Sequence, residues 1–271
     1  MPTNNSALVL LRGGGDLATG VALRLQHAGI RVIIAELEQP LAVRRAVSFA
    51  EAVYEGKHTI EGITARLVER EQLSAALEAN EIPVLIDPNA EILTSDFSTF
   101  VAVIDGRLTK QPPSSLPTLV PLHIGLGPGF HAGINCHAVV ETRRSHTLGR
   151  VYWSGTTQPD SGQPEGDPGR VLRAPSDGVL TARVEIGEHV EDGQVIAVIS
   201  DQLSVVSPFG GVLRGLIHNG MHVTKGLKIG DVDPRGDASA CFLVSDKALA
   251  IGGAVLEAIL TKVEIREQLW K

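Results

Sequence analysis

The chain has 271 residues, of which 43% are hydrophobic and 20% are charged, and its formal net charge is −7 at pH 7. This is the composition of an ordinary globular protein, and the acidic balance excludes a basic face for nucleic acid or for an anionic membrane. Because no apolar run approaches the roughly 18 residues of a membrane span, and residues 2–6 do not resemble a signal peptide, we expect a cytoplasmic protein.

The stretch 8–38 predicts a strand, a glycine turn, a helix and a second strand. Residues 8–11 are an apolar run that ends at Arg12, three glycines follow, an amphipathic segment extends to His27, and residues 32–35 are apolar again. Gly13, Gly15 and Ala18 fit the G-x-G-x-x-G/A pattern of dinucleotide-binding turns. We therefore predict that residues 1–153 form a Rossmann-like, doubly wound α/β domain.

This turn is also the predicted binding site. A helix that starts after glycines directs free amides at an anion, and an acid after the second strand can bind ribose hydroxyls. The candidate cofactor-binding residues are Gly13, Gly14, Gly15, Asp16, Ala18, Thr19 and Glu36. The alternative is a turn of the same shape whose phosphate site stays empty, and the identity of the nucleotide is left open.

The following segment continues the alternation of helices and strands. Helical spacing of apolar residues predicts a helix over residues 41–53, and residues 84–86 and 101–104 read as buried parallel strands. These two strands end in Asp87 and Asp105, which either share the crevice with the glycine turn or cap helices.

A second glycine loop follows at residues 125–129. Gly125, Gly127 and Gly129, with one proline between them, predict a strained backbone that either presents amides to an anion or forms a plain tight loop. His123, His131, His137 and His146 lie nearby, but their spacing matches no metal motif, so we predict no metal site.

The third quarter of the chain contains a repeat. Residues 154–169 read as a linker, and the phrases APSDGVL (174–180) and SPFGGVL (207–213) then echo each other. This pattern resembles a biotinyl/lipoyl-like barrel-sandwich β module, which we assign to residues 170–234. The joining segment 200–204 has no lysine, so we expect no covalent biotin or lipoate, and we interpret the module as a packing or docking unit.

The remainder, residues 235–271, is predicted as a strand and a helix that pack back on the core. The helix should run from about Ala248 to Gln268. Before it, residues 230–236 read as an exposed loop, in which Asp231 and Asp233 either bind a hard cation or act as ordinary turn carboxylates.

Together, five phrases resemble the YqeB-type family, an accessory family associated with selenium-dependent molybdenum hydroxylases. The phrases are GGDLATG (14–20), RRAVSFAEAVY (44–54), IGLGPGF (124–130), KGLKIGDVDPR (225–235) and SDKALAIGG (245–253). The resemblance implies a role in maturing such a hydroxylase, or in supplying it with selenium or the molybdenum cofactor. It carries over no catalytic residue.

Two main function classes follow. The first is an accessory protein that binds a nucleotide or molybdopterin nucleotide in the glycine crevice and docks on a molybdenum hydroxylase or a cofactor-maturation protein, using the loops 125–129 and 230–236. The second is an NAD(P)-dependent oxidoreductase, although no Tyr-x-x-x-Lys pair stands out. A non-enzymatic scaffold with degenerate sites is a third alternative. Homo-oligomerisation is left open.

Overall fold

The chain forms two structural units. The computed structural model describes residues 7–97, 99–162 and 168–269. The first unit contains residues 1–40, 49–160 and 244–271, and the second contains residues 41–48 and 161–243. The predicted linker 154–169 lies partly outside the described residues, at 163–167.

A mixed nine-stranded sheet forms the centre of the first unit. Its spatial order is β3-β4-β5-β2-β1-β6-β7-β8-β9. All neighbours from β4 to β8 are parallel, whereas the two outer strands, β3 and β9, are antiparallel to their neighbours. The strands are β1 Leu8–Arg12, β2 Arg31–Glu36, β3 Lys57–Ile60, β4 Ile63–Leu67, β5 Ile82–Ile86, β6 Phe100–Asp105, β7 His123–Leu126, β8 Ala138–Val140 and β9 Val151–Tyr152.

The helices of this unit are few and unequal. They are α1 Asp16–His27, α2 Ala52–Glu55, α3 Leu73–Glu78, α4 Asp246–Thr261 and α5 Val263–Arg266. α1 and α4 cross with their backbones in contact, because a Cβ atom on Gly252 would collide with the Gly20 carbonyl. Gly252, a residue type that lowers the stability of an isolated helix, therefore lies where α1 and α4 approach each other most closely in their backbones.

The second unit contains two antiparallel four-stranded sheets. Their orders are β10-β17-β15-β12 and β14-β13-β11-β16. The two halves of the repeat exchange strands, since β11 of the first half pairs with β16, and β12 pairs with β15. The strands are β10 Val171–Arg173, β11 Gly178–Ala182, β12 His189–Val190, β13 Val195–Ile199, β14 Leu203–Val206, β15 Gly211–Leu216, β16 His222–Val223 and β17 Lys228–Asp233.

The predicted fold class, a Rossmann-like doubly wound domain followed by a barrel-sandwich module and a C-terminal helix, is wrong. A doubly wound sheet has a helix between successive parallel strands. Here β6, β7 and β8 are joined by irregular segments, residues 106–122 and 127–137, and antiparallel strands lie at both edges of the sheet. The repeat region forms two separate antiparallel sheets and belongs to one unit with the upstream residues 41–48.

The predicted helix over residues 41–53 is also wrong. Only Arg45–Val47 and Phe49–Glu51 form short 3-10 turns, and α2 begins at Ala52. Arg44 donates to the carbonyls of Ala240 and Leu243, and the Val43 carbonyl lies against Gly215. These non-local contacts hold the segment open against its local helical preference.

The expectation of an exposed loop at residues 230–236 fails for its first half. Asp231 and Asp233 belong to β17 and are 1% and 4% exposed. Arg170 and Arg214 both pair with Asp231, and Arg235 pairs with Asp233 at 2.6 Å. The arginines already neutralise both carboxylates, so the cation alternative loses its ligands.

Candidate functional site

The turn after β1 is held in place by bonds to two neighbouring segments. Gly13 has a φ of +88°, and its amide donates to the Ala35 carbonyl at 2.8 Å. The Gly14 amide donates to Glu36 Oε1 at 2.6 Å, and the Gly14 carbonyl accepts from the Ala50 amide at 2.9 Å. A Cβ atom on Gly14 would lie 2.8 Å from the Ala50 nitrogen, so this position requires glycine for packing.

Gly15 differs from the two glycines before it. It is the N-cap of α1, with φ −63° and ψ 177°, and a Cβ atom there would meet nothing within 4 Å. The amides of the first helical turn have no partners within the helix, and the helix dipole favours an anion at this end. Gly15 therefore borders open space at the end of the helix where an anion is stabilised.

The next three candidates serve mainly the local structure. Asp16 Oδ1 accepts from the Leu17 amide at 2.9 Å. Ala18 is buried, and its Cβ atom lies 3.0 Å from where a Cβ atom on Gly106 would be, so the two segments pack closely here. The Thr19 hydroxyl donates to the Gly14 carbonyl at 3.2 Å and accepts from the Phe49 amide at 2.9 Å, which fixes the shape of the turn.

Glu36 closes the turn from the end of β2. Its side chain is 7% exposed, and its two oxygens accept from the amides of Gly14 and Leu37, at 2.6 and 2.7 Å. Burial raises the pKa of Glu36, while these two hydrogen bonds act to lower it. The geometry makes Glu36 a positioning residue for the turn, in place of the ribose contact that the sequence suggested.

Two arginines beside the turn escaped the sequence analysis. Arg107 donates two hydrogen bonds to Asp105, from Nε at 2.9 Å and from Nη2 at 2.6 Å. The Cγ, Cα and N atoms of Arg107 lie 3.4–3.5 Å from where a Cβ atom on Gly13 would be. Arg12 Nη1 lies 3.4 Å from Asp105 and Nη2 donates to the Pro88 carbonyl at 3.1 Å. Desolvation is the main cause of the lowered pKa of Arg12.

Two cationic side chains thus share one carboxylate at the carboxyl ends of β1 and β6. Asp105 is fully buried, Arg12 is nearly so, and Arg107 is 25% exposed. The sequence offered two signals for this pair. Arg12 is a charged residue at the end of an otherwise apolar strand, and Arg107 follows Asp105 by two residues. The acids at the strand ends are the more conspicuous signal in the sequence, and the two arginines beside them are not.

The other acid at a strand end, Asp87, caps a turn. Its two oxygens accept from the amides of Glu91 and Ile92 at 2.8 and 2.9 Å. These bonds agree with the alternative in which Asp87 is a capping residue. Its carboxylate oxygens face the first residues of the 3-10 turn Glu91–Thr94.

The second glycine loop is separated from the first by one strand. Gly125 pairs with Asp105 across β6 and β7, while Gly127 and Gly129 lie beyond the strand end. A Cβ atom on Gly125 would collide with the Phe130 ring, one on Gly127 would lie 2.6 Å from the Thr142 hydroxyl, and one on Gly129 would collide with the Gln111 carbonyl. Packing thus accounts for all three glycines, as in the alternative of a plain tight loop.

His123 is buried next to this cluster. Its ring meets Phe130 edge to face, with centroids 6.0 Å apart, and its Nε2 has no hydrogen-bond partner among the described residues. Burial is the main reason why the pKa of His123 is lowered to about 4. The charge of Asp105 acts to raise this pKa, and His137, Arg12 and Arg107 act to lower it further. The imidazole is therefore neutral at physiological pH.

Comparisons with known proteins give one clear relative. A protein named YqeB from Escherichia coli (strain K12), described as uncharacterized, is 46% identical over 258 residues, which are 93% of this chain and 47% of the relative. The chain therefore spans about half the length of this curated relative. The similarity supports a YqeB-type family, and no family model matches the chain.

Similarities to solved structures are remote. An aspartoacylase family protein from Mesorhizobium loti has a TM-score of 0.26 and 8% identity, covering 84% of this chain and 85% of that one. A succinylglutamate desuccinylase/aspartoacylase from Rhodobacter sphaeroides has a TM-score of 0.27 and 14% identity, covering 84% and 86%. Similarities at this level carry no argument about activity. In the part of the chain that the structure describes, no helix is both long and apolar enough to cross a bilayer.

Proposed function

We propose that the turn between β1 and α1 binds the phosphate of a nucleotide or of a nucleotide-containing cofactor such as a molybdopterin nucleotide. The observation that carries this proposal is the open space at Gly15, at the start of a 12-residue helix. Gly13 and Gly14 are closed off by Arg107 and Ala50, so Gly15 is the position of the turn that a ligand can approach.

On the side of the turn that faces Asp105, the charged side chains favour an anion. Arg12 and Arg107 share a single carboxylate, Asp105, which leaves one positive charge in excess within this trio. Asp16 in the first helical turn opposes an anion, but its Oδ1 is directed at the Leu17 amide. A phosphate seated between the amide of Gly15 and the guanidinium of Arg107 would combine a helix N-terminus with a charge-assisted hydrogen bond.

The biological role is proposed from the resemblance. The 46% identity to YqeB over most of the chain supports the YqeB-type resemblance that the five phrases gave. We infer that the protein is an accessory factor in the maturation of a selenium-dependent molybdenum hydroxylase, with that hydroxylase or a maturation protein as its partner. Both cysteines are free and buried, as suits a protein of the reducing cytoplasm.

The oxidoreductase alternative receives less support. A dehydrogenase of this kind needs an acid that is free to bind the ribose and a side chain that moves a proton. The Glu36 carboxylate already accepts hydrogen bonds from two main-chain amides, and the Asp105 carboxylate is paired with arginines, so neither acid is free for these roles. We therefore keep the binding role as the proposal.

Calorimetry tests the binding role directly. The wild-type protein should release or absorb heat with at least one of NAD(H), NADP(H), AMP, ATP and molybdopterin nucleotides, and Gly15→Val should abolish it by filling the open space. Leu119→Ser, at a fully exposed loop position, is the matched control and should bind like the wild type. A silent titration with every ligand contradicts the proposal.

A deletion strain tests the accessory role. The hydroxylase polypeptide should be present but inactive, and it should lack its selenium or sulfur ligand or its pterin. The wild-type gene and Leu119→Ser should restore activity, and Gly15→Val should not. Full hydroxylase activity in the deletion strain would show that the accessory role is wrong, whatever the calorimetry finds.

A further inference from the structure

The carboxylate of Asp16 occupies a hydrogen-bond donor at the start of α1. Asp16 is the first residue of this helix, and its Oδ1 accepts from the Leu17 amide at 2.9 Å. In dinucleotide-binding turns with the same glycine spacing, the amides at the start of the helix bind a diphosphate. We propose that Asp16 restricts the site to one phosphate group, so that the ligand is a phosphomonoester such as a nucleoside monophosphate and not a dinucleotide with a bridging diphosphate. The inference rests on the proposed function and narrows its class of ligand.

The turn has few amides left for a ligand. The amides of Gly13 and Gly14 already donate to acceptors on β2, at 2.8 and 2.6 Å, and the Leu17 amide donates to Asp16. The Gly15 amide donates to none of the residues that the structure describes. A bridging diphosphate presents the oxygens of two phosphate groups, and one open glycine cannot satisfy both.

The charged side chains around the turn also suit a single anion. Arg107 lies beside the turn and shares the Asp105 carboxylate with Arg12, so positive charge is in excess there. At the start of the helix the Asp16 carboxylate is itself an anion. A second phosphate directed at the Leu17 amide would therefore have to displace this carboxylate or lie against a like charge, and both cost binding free energy.

A phosphomonoester matches this supply of donors. Its phosphate carries a charge of about −1.5 to −2 at pH 7 on three terminal oxygens. Each phosphate of a bridging diphosphate is linked on both sides and carries less charge. The Gly15 amide and the Arg107 guanidinium can hold the single, more highly charged group through charge-assisted hydrogen bonds, at the end of the helix where an anion is stabilised.

The experiment compares adenosine ligands that differ in their phosphate. AMP, ADP-ribose and NAD share the adenosine, but only AMP ends in a phosphate. In calorimetric titrations the wild type should bind AMP at least about 10-fold more tightly than ADP-ribose or NAD, a difference of about 1.4 kcal/mol. Asp16→Ala frees the Leu17 amide and removes the negative charge, so it should tighten the binding of ADP-ribose and NAD and bring the three affinities close together. Its affinity for AMP should equal that of the wild type or exceed it.

Two further variants define the role of the carboxylate. Asp16→Asn keeps an acceptor for the Leu17 amide and should weaken the preference for AMP less than Asp16→Ala does. Glu38→Ala removes one negative charge at an exposed position of the first unit, and as the matched control it should keep the wild-type preference. Thermal unfolding confirms that each variant is folded.

The outcomes separate the two proposals. The role of Asp16 is overturned, and the phosphate site left standing, if the wild type binds NAD or ADP-ribose as tightly as AMP. The same follows if folded Asp16→Ala keeps the wild-type preference or loses its affinity for AMP. Absence of binding by every ligand, or equal binding by Gly15→Val, overturns the proposed function and the role of Asp16 with it.

Discussion

The amide of Gly14 and the carboxylate of Glu36, 22 residues apart, are joined by a 2.6 Å hydrogen bond between the end of β1 and the end of β2. Because the other oxygen of Glu36 holds the Leu37 amide, a single buried side chain sets the shape of the turn and of the strand end. The proposed site depends on this bond more than on any contact that Glu36 itself makes with a ligand.

Glu36→Gln should destabilise the protein by about 1–3 kcal/mol, because the amide group of glutamine would face one main-chain N–H donor with another donor. The free energy of unfolding in urea measures the effect. Glu38→Gln, two residues along the chain and exposed, should change it by less than about 0.5 kcal/mol. Equal stability of the two variants would show that the carboxylate does not hold the turn.

Gly14→Ala and Gly15→Ala should differ although the residues are adjacent. The first places a methyl group 2.8 Å from the Ala50 nitrogen and should cost about 1–3 kcal/mol, and the second places it in open space and should cost under about 0.5 kcal/mol. Thermal unfolding of both variants measures the difference. Similar melting temperatures for the two would contradict the geometry of the turn.

The sequence predicted the local elements of the site better than the fold around it. The strand, helix and strand over residues 8–36 are confirmed, because the apolar residues 8–11 of β1 favour a buried strand and Gly13–Gly15 end it abruptly. The fold class was wrong because irregular segments join β6, β7 and β8, and because β3 and β9 add antiparallel strands at the two edges of the sheet. Strand β3, with Lys57 and His58, has no apolar pattern to reveal it.

The electrostatic part of the site was the least predictable. The sequence marks Asp105 as an acid at the end of β6, but its pairing with Arg12 from β1 and with Arg107 is visible only in the structure. The arginine partners of Asp231 could not be predicted for the same reason, since Arg170 and Arg214 are distant from it in sequence. Spacing along the chain gives no information about ion pairs that only the sheet register brings together.

Asp231→Ala should destabilise the second unit by about 3–5 kcal/mol, because it leaves Arg170 and Arg214 without their shared carboxylate at a site where Asp231 is 1% exposed. Asp237→Ala, at an exposed position, is the control and should cost under about 1 kcal/mol. Chemical denaturation of both variants checks this. A small effect at Asp231 would mean that these ion pairs contribute little to folding.

The stability of the protein should fall as the pH drops from 6.5 towards 4, partly because of His123. Its pKa is about 4 when folded and 6.5 in the reference state, so the unfolded chain binds the extra proton in this window. Stability is fully present above pH 6.5, and the loss approaches about 3 kcal/mol near pH 4.

His123→Gln removes this titration and should flatten the pH dependence relative to the wild type. The raised pKa of Glu36 acts with the opposite sign and is common to both proteins, so the difference between their stability curves isolates the histidine. Urea midpoints measured from pH 7 to pH 4 give that difference. Parallel curves would indicate that His123 is not held neutral by burial.

A crystal structure with AMP, or with ribose 5-phosphate, tests the central claim most directly. The account predicts phosphate density within hydrogen-bond distance of the Gly15 amide and of the Arg107 guanidinium. Density for the nucleotide at any other place, or an empty turn in crystals grown at saturating ligand, would contradict it.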